Sequence, residues 1–260
     1  MKRVLDQLAL LRGSLPPARG LLPLILLLVL WQLVQSGPSP YFPAPSQWWT
    51  ATVGMFNREH LVAAFGATTL TFLEGLAIAI VIGTALGLLI GVSNLADRAL
   101  QPLLEFMRAI PPPVTVPVAS LLIGYNESMK LTVIVLAALW PILLNATSAV
   151  RQINPLLIDV ARSFRLTTAE RIRRIILPAI VPALLLGIRI AIPLAIVVTL
   201  LVEMLTSLPG IGAVMIRSQR NFQSSEVYAL LVLVGLFGFV VNDLFAVIEG
   251  AIMRRWPPRS

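Results

Sequence analysis

The sequence contains no cysteine and only one histidine, His60. A chain without cysteine forms no disulfide, no thiolate metal site and no iron–sulfur cluster, and a single histidine excludes a two-histidine metal site. Charged residues are also scarce, at 12% of the 260 residues, whereas a soluble globular chain has roughly 25%. These shortages argue against a soluble enzyme, a disordered tail and a nucleic-acid-binding domain.

Only two lysines occur, Lys2 and Lys130, and the segment that ends at Lys130 has one glycine, which does not make a phosphate-binding P-loop. The sequence has no Gly-x-Ser-x-Gly, no His-Glu-x-x-His and no plausible Ser/His/Asp set. We therefore predict no catalytic site, no metal site and no cofactor in this chain, and we place His60 in a solvated outer loop. Any ATP used by a larger assembly would have to bind to a partner.

Long apolar runs dominate what is present, because 57% of the residues are hydrophobic and the mean hydropathy is +0.88. A spanning helix needs about 20 mostly apolar residues, and these runs lack the alternating polarity of barrel strands. The predicted fold class is therefore an all-α polytopic membrane protein with six transmembrane helices. The predicted spans are 21–34, a part of 63–92, about 109–125, 131–150, about 182–205 and 227–252.

The basic residues predict the orientation. Sixteen of the 20 Lys and Arg residues, Arg108 and Arg189 among them, fall in segments that share one side of the membrane. The positive-inside rule then places both the N- and C-termini in the cytoplasm. The predicted division is a cytoplasmic segment 1–20, a first transmembrane helix 21–36, a periplasmic connector 37–62, a core transmembrane domain 63–253 with a cytoplasmic loop 151–182, and a cytoplasmic tail 254–260.

The first span and the connector leave two further expectations. Basic residues precede the short apolar core of the first span, so a signal peptide is the alternative to an uncleaved anchor. Prolines between positions 38 and 45 predict an extended connector. Trp48 and Trp49 then fit the outer interfacial belt.

Small residues and prolines predict how the spans pack. Gly83, Gly87 and Gly91 recur every four residues and form one stripe, which lets a second helix approach closely. That helix belongs either to the same chain or to a second subunit. Prolines at 111–113 and 117 break the third span, and broken backbone at membrane depth needs protein or a water-filled cavity beside it. We expect this span inside the bundle, beside a pathway.

Acidic residues within apolar spans are costly and must face a partner or a polar cavity. Glu74, Glu203 and Asp243 lie within predicted spans, and we treat them as candidates for lining a polar pathway. Structural pairing is the alternative for each of them. Glu249 lies near the inner end of the last span and can reach the interface.

The basic loop between the fourth and fifth spans carries two helix-start signals. Asn154 followed by Pro155 is an N-cap with proline at the first helical position, and Thr167 with Glu170 is a capping box. We predict two helices with a bend near residues 165–166. The first is amphipathic, and its apolar side consists of Leu156, Leu157, Val160, Ala161 and Phe164. Such a helix either docks a cytoplasmic partner or lies on anionic lipid.

This loop resembles the EAA loop of bacterial ABC-importer permeases. The EAA pattern begins with an acidic residue, a small residue and alanine, which Asp159-Val160-Ala161 matches. It ends with Leu-Pro, and Leu177-Pro178 stands at the spacing from the acidic residue that the family has. Other motifs resemble the nitrate/sulfonate/taurine branch of these permeases, in order over about residues 40–255. They are Pro43-Ala-Pro-Ser46, the glycine stripe, Arg108-Ala-Ile-Pro-Pro, Trp140-Pro-Ile-Leu-Leu-Asn145, Val150-Arg-Gln-Ile-Asn-Pro155, Gly187-Ile-Arg189-Ile-Ala191 and Glu203-Met204.

The resemblance implies a type I ABC importer transmembrane-domain fold in the bacterial inner membrane. It implies a permease subunit for a small polar or anionic nutrient, with Glu74, Glu203 and Asp243 as candidates for the translocation pathway. The implied partners are a cytoplasmic ABC ATPase dimer that binds the ATP, a second permease copy in a homodimer, and a periplasmic or lipid-anchored solute-binding protein. The ATPase would dock on a coupling helix made of Asp159, Val160, Ala161, Arg162, Phe164, Arg165 and Leu166.

Three positions depart from the family pattern, and one of them is Pro209, which enters the turn Gly210-Ile-Gly212 after the fifth span. Arg165 stands where the family has glycine, so either the bend is built differently or the charge contacts the ATPase. Thr71 stands about where the family often has arginine. The competing functions are an ion-coupled secondary transporter that uses Glu74, Glu203 and Asp243, which does not need the basic loop, and a membrane scaffold without transport.

Overall fold

The computed structural model describes residues 18–35, 41–58 and 61–254, and the secondary structure in these ranges is helical. The expectations for His60, for the basic residues before position 18 and for the tail after position 254 lie outside the described residues. The helices are α1 (Ala18–Val34), α2 (Pro45–Arg58), α3 (Leu61–Val92), α4 (Asn94–Ala109), α5 (Pro112–Ile123), α6 (Glu127–Arg151), α7 (Pro155–Ser163), α8 (Thr168–Arg171), α9 (Leu177–Thr206), α10 (Ile211–Arg220) and α11 (Ser224–Met253), with a π-helical turn Ile172–Ile176 between α8 and α9.

The core of the bundle is formed by α3, α6 and α9. Glycines of α3 meet α6 at a constant offset of 59 residues, and the pairs are Gly75 with Ile134, Gly83 with Ile142, Gly87 with Ala146 and Gly91 with Val150. A constant offset over four pairs means that the two helices are parallel. In contrast, α9 is antiparallel to α6, because Gly187 meets Pro141 whereas Glu203 meets Lys130.

Two parallel neighbours in one chain require a returning segment between them, and α4 and α5 provide it. The start of α4 is tied to the end of α6, since Arg151 Nη1 lies 2.7 Å from Asp97 Oδ2. The axes of α4 and α5 then meet at 95°, because the prolines at 111–113 donate no backbone hydrogen bond. With 12 residues, α5 is about 18 Å long. The break at 111–113 was predicted, and the predicted span 109–125 contains α5 and the bend before it. Pro117, however, lies inside α5 and does not break it.

The two helices of the loop after α6 start as predicted. Leu156 N–H donates to Asn154 Oδ1 at 3.0 Å at the start of α7, and Thr167 with Glu170 forms the capping box of α8. The second helix runs on past Pro178, because α8, the π-helical turn and α9 form one helix, Thr168–Thr206. The wider turn accommodates Pro178, which lacks an N–H and would clash with the carbonyl of the preceding turn.

Aromatic side chains join α1, α2 and α11 at one end of the bundle. The rings of Trp31 and Trp48 meet edge-on with centres 5.2 Å apart, and Trp48 stacks on Tyr228 at 5.6 Å. Pro45 begins α2, as suits proline at a first helical position, and residues 41–44 before it are not helical. Trp48 packs within this cluster, whereas Trp49 is exposed.

Within the described ranges, four helical segments are long and apolar enough to cross a membrane: α3, α6, Thr168–Thr206 and α11. The bent pair α4–α5 and the shorter apolar α1 account for the other two predicted spans. The all-α membrane fold is thus confirmed, while six crossings and the side of each terminus stay predictions. Most of α11 is exposed, and the only residues buried along it are Glu226, Ala229 and Leu230.

Candidate functional site

The predicted docking helix is α7 with the turn that follows it. Arg162 Nη1 and Asp159 Oδ1 lie 3.3 Å apart, and both side chains are exposed. The apolar side is uncovered too, because Leu156 is 66% and Phe164 is 75% exposed. Leu157 and Val160 are also exposed, while Ala161 is buried against the chain. A contiguous apolar face on a short polar segment is typical of a surface that a partner covers.

The bend at the end of α7 is a Schellman turn. Leu166 N–H donates to Ala161 O at 3.0 Å, and Arg165 N–H donates to Arg162 O at 2.9 Å. This pattern places one residue in the left-handed conformation, where glycine is usual, and here that residue is Arg165 with φ +50°. The bend is therefore not built differently from one with glycine, and arginine bears the steric cost of its backbone conformation.

A buried charge cluster surrounds Glu203 on α9. Lys130 Nζ lies 2.9 Å from Glu203 Oε1, and neither side chain has any exposed surface. Thr68 Oγ1 donates to the same carboxylate at 3.0 Å, and Gly212 N–H donates to it at 2.9 Å. Buried charges are tolerated when they are paired and hydrogen-bonded in this way. The cluster thereby ties together α3, α6, α9 and α10.

The chain between α9 and α10 wraps over this carboxylate. Lys130 Nζ donates to Pro209 O at 3.1 Å, and Ile211 N–H donates to Thr68 Oγ1 at 2.9 Å. Gly210 has φ +152°, and a Cβ added there would collide with the Glu203 carboxylate. These contacts are those of a structural pair, and the assignment of Glu203 to the pathway stays a prediction.

Sequence reasoning missed Lys130 and Thr68 as partners of Glu203. The orientation argument placed Lys130 in an outer loop, whereas it lies in the first turns of α6 with no exposed surface. The sequence did contain a signal for the pair with Lys130. An acid such as Glu203 within an apolar span needs a cation, and Lys130 stands just before another predicted span. Thr68 carried no signal, since a threonine in an apolar helix commonly bonds its own backbone.

The three candidate acids do not come together. Glu74 on α3 and Asp243 on α11 are both exposed, and no hydrogen bond or ion pair joins either of them to another described residue. Glu249 pairs with Arg189 at 3.4 Å. Arg189 lies within α9, although the orientation argument counted it in the cytoplasmic loop. An ion-coupled transporter built on Glu74, Glu203 and Asp243 would need them along one route, and the described chain does not join them.

The glycine stripe packs within the chain. A Cβ at Gly83, Gly87 or Gly91 would press against side chains and carbonyls of α6. Of the two predicted alternatives, the helix that packs on the stripe is therefore one of the same chain. A contact with a second subunit would have to use other surfaces.

Two of the cavities in the described chain lie along α6 and α9. One of 590 Å³ lies among α4, α5, α6 and α9 and is lined by Arg108, Thr115, Trp140 and Asn145 with mostly apolar neighbours. A second of 490 Å³ lies nearer α7 and is lined by Asn145, Ser148, Gln152 and Asn154 with neighbouring residues. Asn145 lines both, so the two cavities adjoin at this residue. Polar side chains thus follow one side of α6 from its middle to its C-terminal end.

Comparison with known proteins identifies relatives. Residues 79–256 match the model of a family described as the inner membrane component of binding-protein-dependent transport systems. The chain is 30% identical over 254 residues to a bicarbonate transport system permease protein of Synechocystis, with 93% of this chain and 90% of the relative covered. It is also 30% identical over 251 residues to a nitrate import permease protein of Leptolyngbya laminosa, with 94% and 89% covered.

More distant similarity extends this pattern. A putative aliphatic sulfonates transport permease protein of Bacillus subtilis is 24% identical over 245 residues, with 91% of this chain and 87% of the relative covered. Among solved structures, an inward-facing MetNI methionine ABC transporter matches with a TM-score of 0.66 at 17% identity, over 74% of this chain and 95% of that chain. An amino acid ABC transporter matches with a TM-score of 0.61 at 15% identity, over 78% and 97%. At such identities the structural matches show the fold.

Proposed function

Because the chain belongs to the family of inner membrane components of binding-protein-dependent transport systems, we propose that it forms the pathway of an ATP-driven importer for a small polar or anionic nutrient. The full-length relatives carry this proposal, since those at 30% identity are named for bicarbonate and nitrate import. The chain is thus an ABC importer permease of the inner membrane, and its nutrient is an oxyanion of the kind that these names describe.

The docking surface for the ATPase is the exposed face of α7 with Arg165 and Leu166. Its apolar residues offer a hydrophobic contact, and the exposed Asp159–Arg162 pair offers charges of both signs around it. Interfaces of this kind combine a hydrophobic centre with a polar rim. A closing ATPase dimer would move α7 and so bias the bundle between inward and outward access. The same features could place α7 on lipid, which makes direct capture of the ATPase the decisive measurement.

The assembly contains two permease copies, in a homodimer, with two ATPase subunits and a solute-binding protein on the opposite side. The chain holds no nucleotide site of its own, since the sequence lacks a P-loop, so the ATPase binds the ATP. Both termini lie in the cytoplasm under the positive-inside rule. The exposed length of α11 is the surface of the chain that faces lipid or the second copy.

The test is purification of the tagged chain from its native membrane in mild detergent, followed by identification of the proteins that accompany it. We expect a stoichiometric P-loop ATPase and its loss from an Asp159→Ala/Arg162→Ala double variant, with membrane insertion unchanged. The matched control is Arg98→Ala, an exposed arginine on α4 that belongs neither to α7 nor to a described ion pair. Absence of any ATPase from the wild-type preparation would contradict the proposed function, and equal capture by the double variant would contradict the docking role alone.

A further inference from the structure

Arg108 is the only charged side chain among the described residues that line the 590 Å³ cavity. The orientation argument counted it among the cytoplasmic cations. Its side chain is exposed and lines two cavities, this one with Trp140 and Leu194 and a smaller one of 240 Å³ with Asp97 and Arg151. Arg108 therefore lies between the largely apolar cavity and the charged residues near the C-terminal end of α6.

The cavity lies level with the middle of α6. The residues of α6 that line it run from Val133 to Asn145, within a helix that extends from Glu127 to Arg151. At 1.5 Å per residue, these positions begin about 9 Å from one end of α6 and stop about 9 Å from the other. Because α6 is long enough to cross the membrane, the cavity lies in the middle of the bundle, and Arg108, which also lines a smaller cavity with Thr147 and Arg151, stands at its end toward the C-terminus of α6.

Arg108 differs from the other cations that face the bundle. Lys130 pairs with Glu203, Arg151 with Asp97, and Arg189 with Glu249. No hydrogen bond or ion pair joins Arg108 to another described residue. Its positive charge and its N–H donors therefore remain available to an anion.

Neutral donors accompany this charge. The indole N–H of Trp140 has no hydrogen-bond partner among the described residues, and Trp140 lines the same cavity. Asn145 Nδ2 donates to Pro141 O at 2.7 Å, which leaves its second N–H available. Thr115 Oγ1 donates to Pro112 O at 2.6 Å, so it supplies no proton to a solute. The lining thus provides one cation and two neutral donors, and the charge favours an anion over a neutral solute.

We infer that this cavity is a transit site for a small oxyanion, held by the Arg108 guanidinium with the Trp140 indole N–H beside it. The inference rests on the proposed function and adds a site and a charge requirement to it. Such a site binds only weakly, because a transported ion must leave it as readily as it enters. The binding protein sets the concentration at which uptake is half-maximal, and the transit site sets the maximal rate.

The test uses the complete importer, with its ATPase and binding protein, in proteoliposomes supplied with ATP. Uptake of isotope-labelled nitrate, bicarbonate and ethanesulfonate is measured for the wild type, Arg108→Gln, Arg108→Lys and Arg98→Gln. Arg98 lies on the same helix and is exposed like Arg108, but it lines neither of the two cavities. Losing one charge-assisted contact predicts about a tenfold or greater fall in the maximal rate for Arg108→Gln, with an unchanged half-saturating concentration. Arg108→Lys keeps most of the rate, and Arg98→Gln keeps all of it.

Several outcomes would overturn the transit site. They are a rate for Arg108→Gln within about twofold of wild type, a lysine variant as slow as the glutamine variant, and a wild-type importer that accepts none of the three anions. A fourth is failure of Arg108→Gln to assemble with the ATPase, which would make Arg108 a structural contact between subunits. A wild-type chain that captures no ATPase would instead refute the proposed function, so the two failures are distinguishable.

Discussion

Replacing Lys130 with methionine is expected to destabilise the bundle strongly, because it leaves the Glu203 carboxylate without its cation in a site that has no exposed surface. Removing one partner of a buried ion pair costs about 3–5 kcal/mol. For a chain of this size, each kcal/mol lowers the melting temperature by about 2–4 °C. The expected fall is therefore about 6–20 °C. The hydrogen bonds from Thr68 and Gly212 remain, so the fall belongs in the lower half of this range.

Removing both charges together should restore much of the loss. The Lys130→Met/Glu203→Gln variant leaves no buried charge, and a neutral pair of similar volume is often as stable as the ion pair it replaces. The coupling free energy from the double-mutant cycle is expected to be about 2 kcal/mol or more. Arg174→Met is the control, because Arg174 and Glu170 lie 3.8 Å apart with both side chains largely exposed. It should cost under about 0.5 kcal/mol.

The assay heats detergent-purified protein for a fixed time and measures the monodisperse fraction by gel filtration. A fixed time is needed because heated membrane proteins unfold irreversibly, so the midpoints compare rates of loss. A midpoint for Lys130→Met within about 2 °C of wild type would refute the reasoning. So would a double variant whose midpoint falls by the combined loss of the two single variants, because the charges would then act independently.

Three further changes test the helix contacts and the loop. Gly87→Leu should destabilise the bundle by about 3 kcal/mol or more, because its Cβ would press on Ala146. Gly238→Leu should be nearly neutral, since a Cβ there meets open space. Equal thermal midpoints for the two variants would contradict this. Arg165→Gly should stabilise by about 0.5–1 kcal/mol, because relief of the left-handed strain exceeds the entropy cost of glycine, and a lower midpoint would oppose it. Asn154→Ala should destabilise α7 by about 1 kcal/mol, because its N-cap is lost. Limited proteolysis after residue 154 measures this, and slower cleavage than in the wild type would contradict it.

Local signals in the sequence predicted local structure well. Asn154 and the Thr167–Glu170 box start the helices where their side chains can satisfy the first free N–H groups. The prolines at 111–113 break the chain because proline has no N–H to donate. Each of these signals depends on atoms only a few residues apart, so one sequence suffices to read it.

Contacts between distant parts of the chain were not readable in the same way. An acid within an apolar span needs a partner, so the sequence indicated that Glu203 has one. Its partners Lys130 and Thr68 lie far from it in sequence. Which of the cations pairs with it depends on how three helices align. The position of Arg108 beside a cavity was not readable for the same reason. The positive-inside rule treats it only as a loop cation, whereas the bend between α4 and α5 brings it against α6.

The helix Thr168–Thr206 joins the basic loop to the buried cluster around Glu203, two features that the sequence showed only as separate ones. The sequence predicted the second helix of the loop and the fifth span from about residue 182 as separate elements. The π-helical turn Ile172–Ile176 precedes Pro178, and the helix continues past this proline to Glu203. One continuous element therefore connects the capping box beside α7 to the cluster that joins α3, α6 and α10. A displacement of α7 would be transmitted along this element to the cluster. The π-helical turn, together with Pro182 and Pro193 further along, marks where the two ends can move relative to each other.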